Sequence, residues 1–197
     1  MTYGTPDQLE RYMPGIVRGR DVWCQLFSEP GAGSDLAGLA TRAERDGDEW
    51  VVSGQKVWNS GAQFAKYGIL MARTDPEQPK HKGISYFLID MHQDAIDVRP
   101  MREMTGDAAF NEVFLSEARV ADADRLGAIG EGWRIGMTTL SHEREPDNAG
   151  SGSGFMFGAI DLTVSAGDYA RTVEGKIDGF AVAMRGDGHK ILDDVLA

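Results

Sequence analysis

Ser28, Glu29, Gly31, Gly33, Ser34 and Asp35 fall within eight consecutive residues. Glycine lets backbone amides approach a ligand closely, and serine and aspartate can donate, accept or cap. Such a stretch can cradle a polar ligand, although on local pattern alone a Gly-containing turn between two strands is the commoner reading. Trp58 and Ser60 form a second pairing, an aromatic face beside a hydroxyl; a tryptophan at a strand end more often belongs to a core. His142-Glu143-Arg144 is the third. A glutamate there could act as a base if burial raised its pKa, and a guanidinium suits phosphate and carbonyl oxygens. The plain reading is a pair of surface charges in the last turn of a helix.

Other chemistries are poorly served. The histidines, at 81, 92, 142 and 189, lack metal-ligand spacing, so no zinc site is expected. No Ser-His-Asp arrangement can be argued, and no GxGxxG element follows a strand. Lys80, His81 and Lys82 read as an exposed loop. The net charge of −11 argues against non-specific nucleic-acid binding, which depends on clustered Lys and Arg. The lone cysteine, Cys24, suits a reducing compartment. With no long apolar run and no secretory start, the expectation is a cytoplasmic protein that does not span a membrane.

The elements that must position these residues follow from pattern. Thr5 as N-cap, Pro6 at the first helical position and the stripe Leu9, Tyr12 and Met13 predict a helix over 5–19, interrupted at Pro14 and ended by Gly19. Short β-rich runs then recur at 22–27, 39–45, 50–58, 67–74, 83–90, 95–102 and 110–118. Asp46-Gly47-Asp48 signals a hairpin. Trp133, Met137, Leu140 and Arg144 share one helical face, which predicts a helix over 131–145 stopped by Pro146. A Gly/Ser-rich linker at 148–158 precedes a weak helical stretch at 168–196. The fold class expected is mainly β with flanking helices (α+β), its middle an antiparallel β-barrel or sandwich.

Ser28-Glu29-Pro30-Gly31-Ala32-Gly33-Ser34-Asp35 resembles the signature of the acyl-CoA dehydrogenase family. Ser53-Gly54-Gln55-Lys56-Val57-Trp58-Asn59-Ser60-Gly61 is similar to the family's second block, a Gly-x-Lys core followed by an aromatic and a hydroxyl residue. Gly83–Ile89, Phe110–Leu115 and Gly130–Trp133 follow in the family's order. The resemblance covers residues 2–145. It implies a remnant of an N-terminal helical domain at 1–20, a middle β-domain at 21–125 and a partial C-terminal helical domain at 126–197. On this reading the chain is a fragment or truncated form.

The resemblance also implies FAD as cofactor and α,β-dehydrogenation of an acyl-CoA, by proton abstraction and hydride transfer to flavin N5, as in fatty-acid β-oxidation. Leu26, Phe27 and Ser28 would lie along the flavin ring, Gly33 and Ser34 where flavin and CoA meet, Trp58 on the ring face, and Ser60 at N5. Leu140, Ser141 and Arg144 match positions that contact the CoA chain, and Ser34 shares that role. Glu143 occupies the place of the base in a minority of the family. The partners implied are an electron-transfer flavoprotein and, at full length, further copies of the same chain. Two other readings stay open: a non-catalytic β-domain remnant, and a related acyl-CoA oxidase or flavin monooxygenase.

Overall fold

A computed structural model describes residues 2–144. The linker and final helix expected from sequence lie outside the described residues. The chain opens with α1 (Pro6–Val17), started by a reciprocal capping box in which Thr5 Oγ1 accepts from the Gln8 amide and Gln8 Oε1 accepts from the Thr5 amide. Pro14 sits inside this helix rather than interrupting it. Its missing N–H falls near the C-terminus, where the Gly15 and Ile16 carbonyls are taken up by Arg20 and Gly19. Helix α1 is fastened by Gln8 Nε2, which donates to the Ala123 and Arg125 carbonyls at 2.8 and 3.1 Å, and by Tyr12 Oη, which donates to Asp124 at 2.7 Å.

Eight strands follow: β1 (Trp23–Leu26), β2 (Arg42–Asp46), β3 (Glu49–Lys56), β4 (Tyr67–Arg73), β5 (Ile84–Asp90), β6 (Ile96–Met101), β7 (Phe110–Ala121) and β8 (Arg125–Leu126). The expected hairpin joins β2 to β3, with Gly47 at φ +62°. Strand order is β6-β7-β3-β2-β4-β5-β8, and β1 also pairs with β4.

The expectation of a mainly β molecule with flanking helices holds; of the barrel or sandwich expected for its middle, a closed barrel is not what forms, and two of the strand pairings are parallel. Strands β6 and β8 end the order with one strand neighbour each, and β4 takes both β1 and β2 in parallel. The cause is a fork. The edge of β4 not used by β5 is shared: β1 occupies Tyr67–Leu70, and β2 touches it only at Arg73. The connection from Phe27 to Thr41, which contains the Gly-rich stretch, leaves the sheet at this fork.

The core lies between the strands, with Leu26, Val52, Leu70, Phe87, Ile89 and Val113 all fully buried. Strand β3 alternates inward Trp50 and Val52, and opposite Val52–Gly54 the extra residue of a bulge lies on β7, between Ala118 and Leu115. Helix α2 (Gly132–Arg144) begins where Gly132 meets the β5 backbone; a Cβ there would lie 2.4 Å from the Ser85 carbonyl carbon. One compact unit comprises residues 1–138, and a second begins at Thr139.

Candidate functional site

After β1 the chain makes a tight turn in which Glu29 and Ala32 exchange both backbone hydrogen bonds at 3.0 Å. Pro30, Gly31, Gly33, Ser34 and Asp35 face outward. A Cβ at Gly31 or Gly33 would meet nothing within 4 Å, so the peptide edge there is open to an approaching group. Asp35 is drawn aside by Lys80, whose Nζ lies 2.8 and 2.9 Å from its two carboxylate oxygens.

Glu29 turns the other way and is buried. Its carboxylate accepts from the Ala40 amide at 2.6 Å, the Thr41 amide at 3.0 Å and Lys56 Nζ at 2.8 Å. Lys56, at the end of β3, has a side chain with 0% exposure. Its three ammonium hydrogens match three acceptors: Glu29 Oε1, the Phe27 carbonyl at 3.1 Å and the Met71 carbonyl at 2.8 Å. Burial pulls the Lys56 ammonium down to about 8, against the opposing pull of Glu29. Burial also works to raise the Glu29 carboxyl, but Lys56 and the Ala40 and Thr41 donors outweigh it and hold it below the ordinary carboxylate range.

Two further links run beside this pair. The Val57 amide donates to the Ser28 carbonyl at 2.9 Å, and Asn59 Nδ2 donates to the Gln25 carbonyl at 2.7 Å. The Gly-rich turn and the Trp58–Ser60 segment, 30 residues apart in sequence, are thereby side by side. Trp58 has φ +62° and is 59% exposed, with its ring edge-on to Phe110 at 5.8 Å. A left-handed backbone is costly for a bulky residue, so the segment is strained while presenting an aromatic face to solvent. Ser60 is exposed beside it, and Gly61 takes φ +66°. Asn59 is 2% exposed; Asn111 Nδ2 donates to its carbonyl at 2.8 Å and to Gln63 Oε1.

The residues proposed from sequence thus separate into groups. Ser28 is tied to the Trp58–Ser60 segment by the Val57 amide, Trp58 and Ser60 are exposed on that segment, and Gly33 and Ser34 are exposed on the turn that Ser28 begins. Leu26 and Phe27 adjoin it, but their side chains are buried, so only their backbones can face a ligand. Leu140 is half-buried and Ser141 and Glu143 are exposed on the last turns of α2, in the second compact unit. Arg144 closes α2, and its side chain lies outside the described residues. Sequence reading assigned no role to Glu29 or Lys56. A signal was available: Lys56 shares the even-numbered, inward parity of Trp50 and Val52 on β3, and an inward lysine needs an acid. Among the described residues no His/Cys/Asp/Glu cluster could hold a metal, and no helix is long and apolar enough to cross a membrane.

Fold and site together define a mainly β domain in which the start of a Gly-rich turn is hydrogen-bonded to the segment that carries an exposed tryptophan. Residues 24–118 match the family model described as "Acyl-CoA dehydrogenase, middle domain". The chain is 56% identical over 144 residues to acyl-CoA dehydrogenase FadE34 of Mycobacterium tuberculosis, covering 73% of this chain and 20% of that protein. It is 49% identical over 145 residues to acyl-CoA dehydrogenase IpdE1 of the same organism, covering 73% of this chain and 37% of that protein. A solved structure described as "Tcur3481-Tcur3483 steroid ACAD G363A variant" superposes with a TM-score of 0.72 at 37% identity, covering 94% of this chain and 44% of that one. The chain carries the middle domain of the acyl-CoA dehydrogenase family. It spans about a fifth to two fifths of the length of these curated relatives.

Proposed function

We propose that this chain is the flavin-facing part of an FAD-dependent acyl-CoA dehydrogenase, an oxidoreductase acting on the CH–CH bond of an acyl-CoA thioester. The supporting observation is the pinning of two exposed segments: Trp58, exposed in a strained backbone and followed by the exposed Ser60, is bonded through Val57 to Ser28, where the turn with the open Gly31–Gly33 edge begins. These residues fit a flat, polar-edged ring system. The aromatic face can stack on it, and hydroxyls and unobstructed peptide groups can meet its edge. FAD, when bound, supplies the hydride acceptor that no side chain can provide.

On this reading Trp58 packs on the flavin face, Ser60 bonds at N5, and Ser28 holds the pyrimidine end. The backbones of Leu26 and Phe27 run along the ring, and Gly33 and Ser34 border both flavin and thioester. Leu140, Ser141 and Arg144 follow the CoA chain, with Glu143 the candidate for removing the α-proton. Glu143 is exposed on α2, so a base there needs bound substrate to cover it from water. An electron-transfer flavoprotein as acceptor, self-association of the full-length protein and a cytoplasmic location belong to the same reading. Because a related structure, 37% identical, is described as a steroid ACAD, a steroid CoA thioester is the first substrate class to try, ahead of straight-chain fatty acyl-CoA.

The test is to incubate the purified chain with FAD, remove free cofactor, and record the visible spectrum before and after anaerobic addition of each thioester. Retained absorption near about 450 nm, bleached by one substrate class, is the expected result. A chain that stays colourless at saturating FAD would overturn the reading for this chain.

A further inference from the structure

We propose that Lys56 is a positioning residue, whose ammonium bridges the fork in the sheet and holds the Ser28–Ser34 turn in register with the Trp58–Ser60 segment. The fork leaves β4 without a paired strand on one edge between Leu70, partnered by β1, and Arg73, partnered by β2. Met71 stands in that gap, and its carbonyl receives Lys56 Nζ. The other two acceptors, the Phe27 carbonyl and Glu29 Oε1, belong to the chain that departs from β1 at the same point. One cation therefore ties together β3, β4 and the start of the Gly-rich turn.

Geometry makes this a register device rather than generic filler. An apolar side chain of similar volume could fill the space, but it would leave the Phe27 and Met71 carbonyls without this donor. A neutral amine has two hydrogens and a lone pair, so one of the three acceptors would lose its bond. Glu29 is the acid bonded to Lys56, and its remaining bonds to the Ala40 and Thr41 amides anchor the far end of the same connection, just before β2. Lys56 is followed directly by Val57, which bonds Ser28, and Trp58. A shift of the ammonium is thus passed within two residues to the aromatic shelf. The sheet has its own apolar cluster, which includes Leu26, Val52, Leu70, Phe87, Ile89 and Val113.

The inference rests on the flavin reading only for what the held surface binds; the register itself is tested without cofactor. In the 197-residue chain, the neutral pair Glu29→Gln with Lys56→Met avoids stranding one buried charge. We expect strand circular dichroism and cooperative unfolding to be retained. The Val57 amide should exchange its hydrogen about ten-fold faster relative to the β4 amides, since one local restraint is lost while the sheet persists. FAD affinity, read by tryptophan quenching, should fall about ten-fold or more in parallel. Unchanged protection at Val57, or a uniform loss across all strands, would overturn the proposal. If that variant does not fold, the unmodified chain decides by nitrogen NMR of its lysines. A slowly exchanging three-hydrogen Nζ signal for Lys56 is expected, and a signal behaving like an exposed lysine refutes the bridge. A wild-type chain that takes up no FAD but shows both the slow Nζ signal and the selective Val57 effect would sink the flavin reading and leave the register inference standing.

Discussion

Lys56 Nζ and Glu29 Oε1 lie 2.8 Å apart beneath the surface that bears Trp58, and the lysine side chain is wholly buried. The pair takes one residue from each of the first two of the five sequence blocks that carry the family resemblance. Its place ties the turn that follows β1 to the segment that follows β3. A buried pair of this kind is costly to assemble and more costly to break from one side.

Opposite pH limbs follow from the two partners. The folded Lys56 value of about 8 lies below the ordinary 10.5, so between those values the unfolded chain holds more protons. Stability attributable to Lys56 therefore rises with pH across that window. Relative to the Glu29→Gln/Lys56→Met variant, urea unfolding should show the wild type gaining on the order of 3 kcal/mol from about pH 8 to 10.5. For Glu29 the folded value lies below 4.5, so its contribution is present above pH 4.5 and is lost as pH falls through the folded value. A flat difference between the two proteins in both limbs contradicts the burial of the charged pair.

Trp58→Gly separates display from support. The backbone at φ +62° is the region where glycine is at ease and tryptophan is strained, and the ring is 59% exposed. Thermal unfolding should show stability within about 1 kcal/mol of wild type, since relief of strain offsets the lost ring contact. FAD retention should fall sharply. A loss of about 3 kcal/mol, as for a core aromatic, would show instead that the ring is structural.

Glycine-to-alanine changes should divide by location. At Gly132 a Cβ would lie 2.4 Å from the Ser85 carbonyl carbon, and at Gly54 it would lie 2.7 Å from the Thr41 Cα. Either change should cost about 1–3 kcal/mol by chemical denaturation. Gly33→Ala meets nothing within 4 Å and should leave stability within about 0.5 kcal/mol of wild type, while weakening FAD or CoA-thioester binding. Equal destabilisation at all three positions would rule out an open edge at Gly33.

Glu143→Gln tests the candidate base. The residue is exposed on α2, so unfolding should be unaltered within about 0.5 kcal/mol. In a preparation that turns over, kcat should fall by at least about a hundred-fold, the range expected for removal of a general base. Unchanged kcat eliminates Glu143 and moves the search to other carboxylates.

Much of the fold was legible because it is written in local terms. Pro6 after Thr5 announced α1, Gly47 announced the β2–β3 turn, and the β-rich run at 50–58 announced β3, which spans 49–56. Periodicity also placed α2, which runs over 132–144 against an expected 131–145. The same local terms could not show that β4 divides one edge between β1 and β2. Strand order depends on pairings distant in sequence, and composition does not report them.

The sequence by itself offered candidate residues for the chemistry and, through the order of its blocks, determined the family to which its β-domain belongs. Only the tertiary structure decided how those residues meet. Leu26 and Phe27 are drawn into the interior, where apolar side chains gain most from leaving water, while Trp58 is turned out by a left-handed backbone. Lys56 becomes the joint between the two motifs because the forked sheet leaves a gap there with carbonyls to satisfy. A buried cation with three aligned acceptors can satisfy them, and that alignment exists only once β3, β4 and the Gly-rich turn have come together.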